Sequence, residues 1–153
     1  MLARLCRGDV GFDKLLMDLV DSATRSRIMR AVPQKDTVPE LVLRRELHRM
    51  GLRYRLHSKA LPGKPDIVFP SARVAVFVHG CFWHRHLGCR LTTTPRSRED
   101  FWQEKFAANQ ARDRRNEEQL RELGWAPVVV WQCEIQGYLP KVVAKVKHSL
   151  ERR

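Results

Sequence analysis

Long apolar segments are the first feature that this sequence lacks. Its longest apolar runs, residues 74–78 and 126–131, are much shorter than the roughly 20 residues that a membrane-spanning helix needs. Near the N-terminus, Asp9, Asp13 and Lys14 interrupt the leucines before a secretory signal core can form. Internal repeats and low-complexity tracts are also missing. We therefore expect a cytoplasmic protein with no membrane partner.

Acidic side chains are the next scarce class. The 17 acidic residues stand against 29 lysines and arginines, which gives a formal net charge of +12. An excess of this size on a compact domain favours a polyanionic partner, and nucleic acid is the first candidate. A basic enzyme with an unrelated substrate is the alternative. An anionic membrane surface suits the sequence less, because no helix pattern combines a basic face with a broad apolar one.

Cysteine is limited to four residues. In a reducing compartment, four cysteines argue against a disulfide framework and favour a metal site or free thiols. The length of 153 residues suits a single domain. Residues 1–20 show no clear period, so we expect a loosely ordered extension there, with Met17 as an alternative start. Residues 21–153 would then form the domain.

The apolar periodicity predicts a small α/β domain with a mixed sheet flanked by helices, in the order α-β-β-β-α-β-α. A capping box of Thr37 and Glu40 is expected to start the first helix, and Ser97 is expected to cap the long central helix. A two-residue turn at Ser71 and Ala72 joins two strands into a hairpin. The expected helices cover residues 38–50, 98–123 and 139–150, and the expected strands cover residues 52–56, 66–69, 73–78 and 126–131.

The segment after residue 78 combines cysteine and histidine at metal-ligand spacing. Cys81, His86 and Cys89 form a C-x4-H-x2-C cluster, and Cys133 lies just beyond the last predicted strand. A strand end can bring one more thiolate to such a loop, which would complete the Cys₃His shell of a structural zinc site. The alternative is a group of buried thiols beside an ordinary histidine.

Asp66 and His79 lie at the open end of the predicted hairpin. The turn at Ser71 and Ala72 places Asp66 opposite Phe77, so that His79 lies diagonally on the same face. A carboxylate that binds Mg²⁺ beside a proton-transfer group suits the hydrolysis of a phosphodiester. An aspartate after a proline is also a common turn residue, and this is the alternative for Asp66.

Two further polar residues have both a functional and a structural interpretation. His84 lies in the same loop as His79 and could exchange a proton near neutral pH. A solvated loop histidine or another zinc ligand would explain His84 as well. Glu40 is already explained by the predicted capping box.

Three aromatic residues occupy positions that are unusual for a core. Phe82 and Trp83 lie between predicted metal ligands, and Trp102 begins a charged helix. Flat apolar side chains near a basic surface can wedge between base pairs. A hydrophobic lid over the zinc site explains them equally well. The same helix carries candidates for phosphate contacts, with a solvated charged face as the alternative: Lys105, Asn109, Arg112, Arg114 and Arg115.

Taken together, these motifs resemble those of the very short patch repair endonucleases, which nick DNA at mismatches. The central string His79-Gly-Cys-Phe-Trp-His84, with the metal ligands around it, is the most specific of them. The other matching elements, in the same order, are Ala23-Thr-Arg-Ser26, Met29-Arg-Ala31, Asp36-Thr37 with Glu40, Leu61-Pro-Gly-Lys-Pro-Asp66, Phe101-Trp102-x-Glu-Lys105, Asn109-x-x-Arg-Asp-x-Arg115, Leu123-Gly-Trp125 and Val130-Trp-x-Cys133.

The resemblance implies a restriction-endonuclease-like fold, with a histidine in place of the lysine usual in that active site. It implies that Asp66 binds Mg²⁺ and that His79 and His84 handle protons at the scissile phosphate, with Glu40 in support. Val78 stands where a hydroxyl residue is found in the best-known form of the family. The ligand expected at that position is therefore its backbone carbonyl.

The resemblance also implies a zinc site and a set of aromatic residues that enter the DNA beside a T:G mismatch. The zinc ligands are Cys81, His86, Cys89 and Cys133, and the inserted aromatics are Phe82, Trp83 and Trp102. Relative to the family pattern, the zinc loop has an extra residue at Leu87-Gly88. Glycine can absorb such an insertion because it tolerates most backbone conformations.

The function implied is that of a monomeric bacterial endonuclease, associated with the nucleoid, which nicks double-stranded DNA 5′ to the thymine of a T:G mismatch. Such mismatches arise when 5-methylcytosine deaminates, so a cytosine-5 methyltransferase and a repair polymerase are the implied partners. The rival is a non-catalytic zinc-containing DNA-binding protein, which the charge and the cysteines alone would allow. A pure binder has no need of Asp66, His79 and His84 together, which favours the enzyme.

Overall fold

The computed structural model describes residues 35–96 and 98–152, together with the separate positions 21, 23, 24, 27, 31 and 33. The extension expected over residues 1–20 and the cap expected at Ser97 lie outside the described residues.

A four-stranded mixed sheet flanked by helices forms the centre of the described chain, as the sequence predicts. The strands follow one another across the sheet in chain order; the first three pair antiparallel, and the third pairs parallel with the fourth. The parallel connection contains a long helix, as such crossovers usually do. In chain order the elements are α1 (Val38–Arg49), β1 (Arg55–Leu56), β2 (Ile67–Phe69), β3 (Val74–His79), α2 (Cys81–His84), α3 (Glu99–Glu122), β4 (Ala126–Trp131) and α4 (Gln132–Glu151).

Helices cover both faces of the sheet. Successive side chains of a strand point to opposite faces, so one set of residues packs against α1 and α4 and the other against α3. Leu120 of α3 covers Ala75 and Phe77. The main core on the other face includes Leu43, Leu47, Ile67, Phe69, Val74, Val76, Val128, Val130, Val142, Val143 and Val146. No helix in the described ranges is both long and apolar enough to cross a membrane.

The predicted hairpin register is confirmed. The Arg73 backbone N–H donates to the Pro70 carbonyl (3.2 Å), which closes the turn around Ser71 and Ala72. Ile67 then pairs with Val76, so Asp66 lies opposite Phe77. His79 is two residues beyond Phe77 on the same face of the sheet, as expected.

The capping box predicted for Thr37 and Glu40 is wrong. Thr37 is the N-cap residue of α1, but its side chain makes no cap hydrogen bond. Its hydroxyl donates instead to Glu40 Oε1 (2.7 Å), and Glu40 Oε2 accepts the Asp36 backbone N–H (3.0 Å). In a capping box the Thr37 hydroxyl would bond to the backbone N–H of Glu40, whereas here it bonds to the Glu40 carboxylate.

The last helix begins at Gln132, seven residues before the predicted start at Leu139. Tyr138 interrupts it with non-helical angles (φ −155°, ψ 78°), two residues before Pro140. Proline lacks the N–H that would bond back to residue 136 and crowds that carbonyl, which accounts for the kink. The N-terminal end of the helix is capped by Glu134, whose carboxylate accepts the Trp131 N–H (3.0 Å).

Two smaller differences concern β1 and α2. The strand predicted over residues 52–56 pairs only at Arg55 and Leu56. Continuing that register would place residue 53 opposite Pro70, which cannot donate to the ladder. The one-turn helix α2 was expected to be a loop.

Candidate functional site

Asp66 lies directly before β2 and is tied to β3 by two hydrogen bonds. Its backbone N–H donates to the Val76 carbonyl (3.1 Å), and its Oδ2 accepts the Val78 backbone N–H (2.8 Å). Burial raises the pKa of Asp66 to about 6, although the hydrogen bond from Val78 lowers it; the Glu40 charge raises it further. A cation would offset the penalty of burying this charge, so the carboxylate suits a hard metal ion.

Glu40 belongs to an ionic cluster that adjoins Asp66, in which Glu40 and Arg44 are buried and Asp36 is exposed. The Arg44 guanidinium donates to Asp36 Oδ1 (2.6 Å) and Glu40 Oε2 (2.8 Å), and lies 2.9 Å from His57 Nε2. The His57 backbone N–H donates to the Asp66 carbonyl (3.2 Å). Asp36, Glu40 and His57 are close enough to share a metal ion, but Arg44 already occupies the same ligand atoms. The cluster is therefore an ion-pair network.

His79 and His84 are brought together as stacked rings. His79 is the last residue of β3, His84 is on α2, and their ring centroids are 3.9 Å apart at an interplanar angle of 11°. Burial, followed by the positive charge of His84, lowers the pKa of His79 to about 3. His79 is therefore a neutral imidazole at physiological pH.

His84 has a carboxylate partner that the sequence analysis did not assign. Its Nδ1 lies 2.5 Å from Oδ2 of Asp113 on α3. Burial acts to raise the pKa of Asp113, but the hydrogen bond with His84 and the nearby positive charges outweigh it and lower the pKa. Because the ionised carboxylate can only accept, Nδ1 of His84 carries the proton and Nε2 is left to exchange one.

His79, His84 and Asp113 line one open groove of about 480 Å³, together with Arg114 and Trp131. Glu40 is not part of this group: its hydrogen-bond partners in the described chain are Asp36, Thr37 and Arg44. Its electrostatic effect falls on Asp66.

Cys81, His86, Cys89 and Cys133 converge, as the sequence predicts for a metal site. One ligand atom from each lies within 4.8 Å of all the others. His86 Nδ1 is 3.7 Å from Cys81 Sγ and 3.2 Å from Cys133 Sγ. Ligands at the usual zinc distances would be about 3.5–3.8 Å apart at the corners of a tetrahedron. The donor set therefore fits a soft or borderline metal ion with a closed shell.

The aromatic residues predicted to enter DNA form a compact cluster with Phe106. Phe82, Trp102 and Phe106 are buried, and Trp83 packs against them half-buried. Phe82 is the centre, with edge-to-face contacts at 5.0 Å to Trp83, 5.6 Å to Trp102 and 5.3 Å to Phe106. In this structure the cluster joins α2 to α3, so of the three predicted residues Trp83 is the most accessible.

The basic residues predicted to follow phosphate are exposed along α3. Lys105 and Arg112 are seven residues apart, or two helical turns, and share one side, with Arg115 next to them. Arg114 projects to the other side and lines the groove that contains the histidines. Asn109 is buried, and its amide donates to the Trp83 carbonyl (3.1 Å).

Sequence reasoning missed Asp113 and Arg44 as site residues because both lie in strongly charged helices. A weak signal for Asp113 was available: it follows Asn109 by four residues and Phe106 by seven, and those residues form the inward face of α3. Arg44 follows Glu40 by four residues, a spacing that usually gives an exposed pair. Only the fold shows that Arg44 is buried and that Asp113 is partly covered beside His84.

Comparison with known proteins gives consistent results. The family model described as DNA mismatch endonuclease Vsr matches residues 17–90. The Type II nicking enzyme V.XorIIP of Xanthomonas oryzae is 48% identical over 136 residues, covering 89% of this chain and 98% of that protein. The DNA mismatch endonuclease Vsr of Escherichia coli is 44% identical over 122 residues, covering 80% of this chain and 78% of that protein. Because such identity extends over most of both chains, the protein belongs to the Vsr family of DNA mismatch endonucleases.

Proposed function

We propose that the protein nicks double-stranded DNA 5′ to the thymine of a T:G mismatch and so starts very short patch repair. The observation that carries the proposal is the stacked His79–His84 pair with Asp113, on the same sheet face as Asp66. Membership of the mismatch endonuclease family supports the substrate class. The name of the Xanthomonas relative supports cleavage of one strand.

Asp66 is the proposed Mg²⁺ ligand, with the Val78 backbone carbonyl as the second protein ligand. The support is the partly buried Asp66 carboxylate, bonded to the Val78 N–H, with Glu40 adding negative charge nearby. Mg²⁺ bound here would supply Lewis-acid stabilisation of the charge that develops on the phosphate. Glu40 acts in this proposal as an electrostatic support for the cation.

His84 is the proposed proton acceptor. Asp113 accepts the Nδ1–H of His84, which leaves Nε2 free to take a proton from the attacking water. The Asp113 carboxylate then stabilises the His84 imidazolium that forms. His79, kept neutral by burial, fixes the plane of the His84 ring and offers a hydrogen bond to the phosphate. The resemblance implies a proton-handling pair of His79 and His84; in this proposal His84 takes the proton and His79 supports it.

Zinc is the proposed ion of the Cys81, His86, Cys89 and Cys133 cluster. Three thiols and one imidazole within 4.8 Å fit a closed tetrahedral shell, which suits a structural ion because no position is left for water. The ion would tie α2 and the following loop to the start of α4, beside the histidine pair.

DNA is proposed to bind across α2 and α3. Lys105, Arg112, Arg114 and Arg115 supply phosphate contacts that are independent of sequence. Phe82, Trp83 and Trp102 supply the wedge at the mismatched step, with Trp83 leading because it is the least buried. Asn109 contributes by holding Trp83.

The sheet order, with Asp66 and His79 on neighbouring strands, is consistent with a restriction-endonuclease-like fold. A single chain suits the target, because a T:G mismatch has no two-fold symmetry for a dimer to match. The cellular partners that follow are a cytosine-5 methyltransferase, whose product deaminates to thymine, and a polymerase that extends from the nick.

The test is cleavage of duplexes labelled separately on each strand and containing a central T:G or T:A pair. We expect a single cut 5′ to the thymine of T:G, only with Mg²⁺, and no cut by Asp66→Asn, which should still bind the mismatch. Mg²⁺-dependent cleavage by Asp66→Asn would contradict the assigned role of Asp66. Tight binding without cleavage by the unmodified protein would favour the non-catalytic DNA-binding alternative.

A further inference from the structure

Trp131 lies between the Cys/His cluster and the histidine pair. It is the last residue of β4, and in the parallel register it is directly opposite His79. Its backbone is fixed by the Glu134 carboxylate, which accepts its N–H at 3.0 Å. The indole therefore extends from a rigid strand end into the space between the two sites.

The Trp131 indole contacts a histidine from each site. It stacks on His86 with centroids 4.2 Å apart at 5°, and it meets His79 edge-to-face at 5.3 Å and 77°. His79 in turn stacks on His84 at 3.9 Å. Both stacked and edge-to-face arrangements are favourable for aromatic rings at such distances. The four rings form an aromatic row, His86–Trp131–His79–His84.

This row bears on catalysis because an imidazole needs external contacts to fix its plane. The second side-chain torsion of histidine is broad, so the strand alone does not set the ring orientation of His79. Within the row, His79 is contacted by His84 at 3.9 Å and by Trp131 at 5.3 Å, and the more distant Phe77 ring lies 6.0 Å away. At the far end of the row, His86 Nδ1 contacts the thiols of Cys81 (3.7 Å) and Cys133 (3.2 Å), which hold the His86 ring.

We infer that Trp131 is a positioning residue: it transmits the rigid geometry of the Cys/His cluster to His79 and, through stacking, to His84. The inference rests on the proposed nicking activity. Loss of the indole leaves the basic surface of α3 and the aromatic cluster intact, so it slows the chemical step while mismatch binding is kept. A ring-containing replacement preserves the contact with His79.

The experiment compares Trp131→Leu, Trp131→Phe and the matched control Trp125→Leu. Trp125 immediately precedes β4, at the opposite end of the strand from Trp131, and packs against the Phe77–Leu120 cluster. Four quantities are measured: single-turnover nicking rate, affinity for the T:G duplex, bound metal per chain, and the imidazole proton resonances of His79, His84 and His86 by NMR.

We expect Trp131→Leu to lower the single-turnover rate by roughly 10- to 100-fold, the range typical of a misplaced catalytic group, with duplex affinity and bound metal unchanged. Trp131→Phe should recover most of the rate. The His79 and His86 resonances should move in Trp131→Leu as the ring current of the indole is lost, and Trp125→Leu should change neither rate nor resonances.

An unchanged rate in Trp131→Leu overturns the inference, as does failure of phenylalanine to restore the rate. A loss of affinity parallel to the loss of rate also overturns it, because Trp131 would then contact DNA directly. If the unmodified protein does not nick the duplex, the proposed function fails, whereas the NMR shifts still test the aromatic row independently.

Discussion

Asp66 is a half-buried carboxyl whose environment opposes its ionisation. Burial is the main cause, and the nearby charge of Glu40 adds to it, so that the pKa of Asp66 rises from 3.8 to about 6. When the Asp66 carboxyl is ionised and no cation is bound, it lowers the free energy of unfolding of the protein. Such local conflicts are expected at functional sites, where charge is placed for chemistry at the expense of stability.

This conflict gives a pH-dependent prediction. Between pH 3.8 and about 6, the folded state keeps a proton on Asp66 that the unfolded state has lost. The free energy of unfolding therefore falls as pH rises through this interval and stays lower above it. Asn cannot ionise, so in Mg²⁺-free buffer Asp66→Asn should be the more stable protein near neutral pH, by up to about 3 kcal/mol.

Urea unfolding of both proteins at a series of pH values measures the effect. The advantage of Asp66→Asn should vanish below the ordinary aspartate pKa of 3.8, since both side chains are then neutral. A wild-type protein that is the more stable of the two at neutral pH would contradict the assigned environment of Asp66. Added Mg²⁺ should narrow the difference, because it stabilises only the carboxylate.

The contact between α2 and α3 determines how the aromatic residues can act on DNA. Phe82, Trp102 and Phe106 are 2–7% exposed, so they hold the two helices together before any DNA arrives. Trp83 is only partly covered. Phe82, Trp102 and Phe106 therefore have a structural role, and Trp83 is the member of the cluster best exposed for the proposed contact with DNA.

Two substitutions separate these roles. Trp102→Ala should lower the free energy of unfolding by about 3–5 kcal/mol, because it opens a cavity between α2 and α3. Trp83→Ala should destabilise less but should reduce the preference for T:G over T:A, since a mismatched step is easier to unstack. Urea unfolding and competition binding on both duplexes provide the measurements.

Arg115→Ala is the control for general affinity. It removes an exposed charge that any duplex would meet, so it should weaken T:G and T:A binding alike and flatten the salt dependence. If Trp83→Ala also weakens both duplexes equally, the indole is part of a hydrophobic lid and not a wedge.

The hairpin was predictable because local rules agree there. The turn at Ser71 and Ala72 and the two-residue strand period fix the Asp66 register without any long-range information. Helix α2 was not predictable in this way, because a four-residue helix is too short to show a period. Proline is common in the first turn of a helix, so Pro140 favoured a start of α4 near residue 139. The same proline lies inside a helix that begins at Gln132, where it accompanies a kink.

At the scale of the whole molecule, the net charge of +12 predicts a nucleic-acid partner, and the spacing of cysteine and histidine predicts the Cys/His cluster. The convergence of Cys133 with a loop more than forty residues earlier depends on the parallel pairing of β3 with β4. The same pairing places Trp131 beside His79. Asp113 and Trp131 both lie in the matching family motifs, but the motifs do not give their roles, which arise from contacts between distant elements.

With a metal ion bound, the Cys/His cluster would cross-link the segment after β3 to the start of α4. Three of its members lie at residues 81–89 and the fourth is Cys133, so a bound ion closes a long loop that contains all of α3. Binding of metal by the folded state alone adds directly to the free energy of unfolding. We expect about one zinc ion per purified chain, on the basis of the four-ligand shell.

Removal of the ion should therefore weaken the whole domain. Cys133→Ala should lose the metal and lower the free energy of unfolding by about 2–5 kcal/mol, the range seen when a covalent cross-link is removed from a small domain. A strong chelator should bring the wild-type protein to the same lower stability, but should have no further effect on Cys133→Ala, because the two changes remove the same cross-link. Metal content by mass spectrometry and unfolding in urea give the comparison. Wild-type protein that is metal-free yet equally stable and active would leave the cysteines as ordinary buried thiols, and the support at the far end of the aromatic row would then have to come from packing alone.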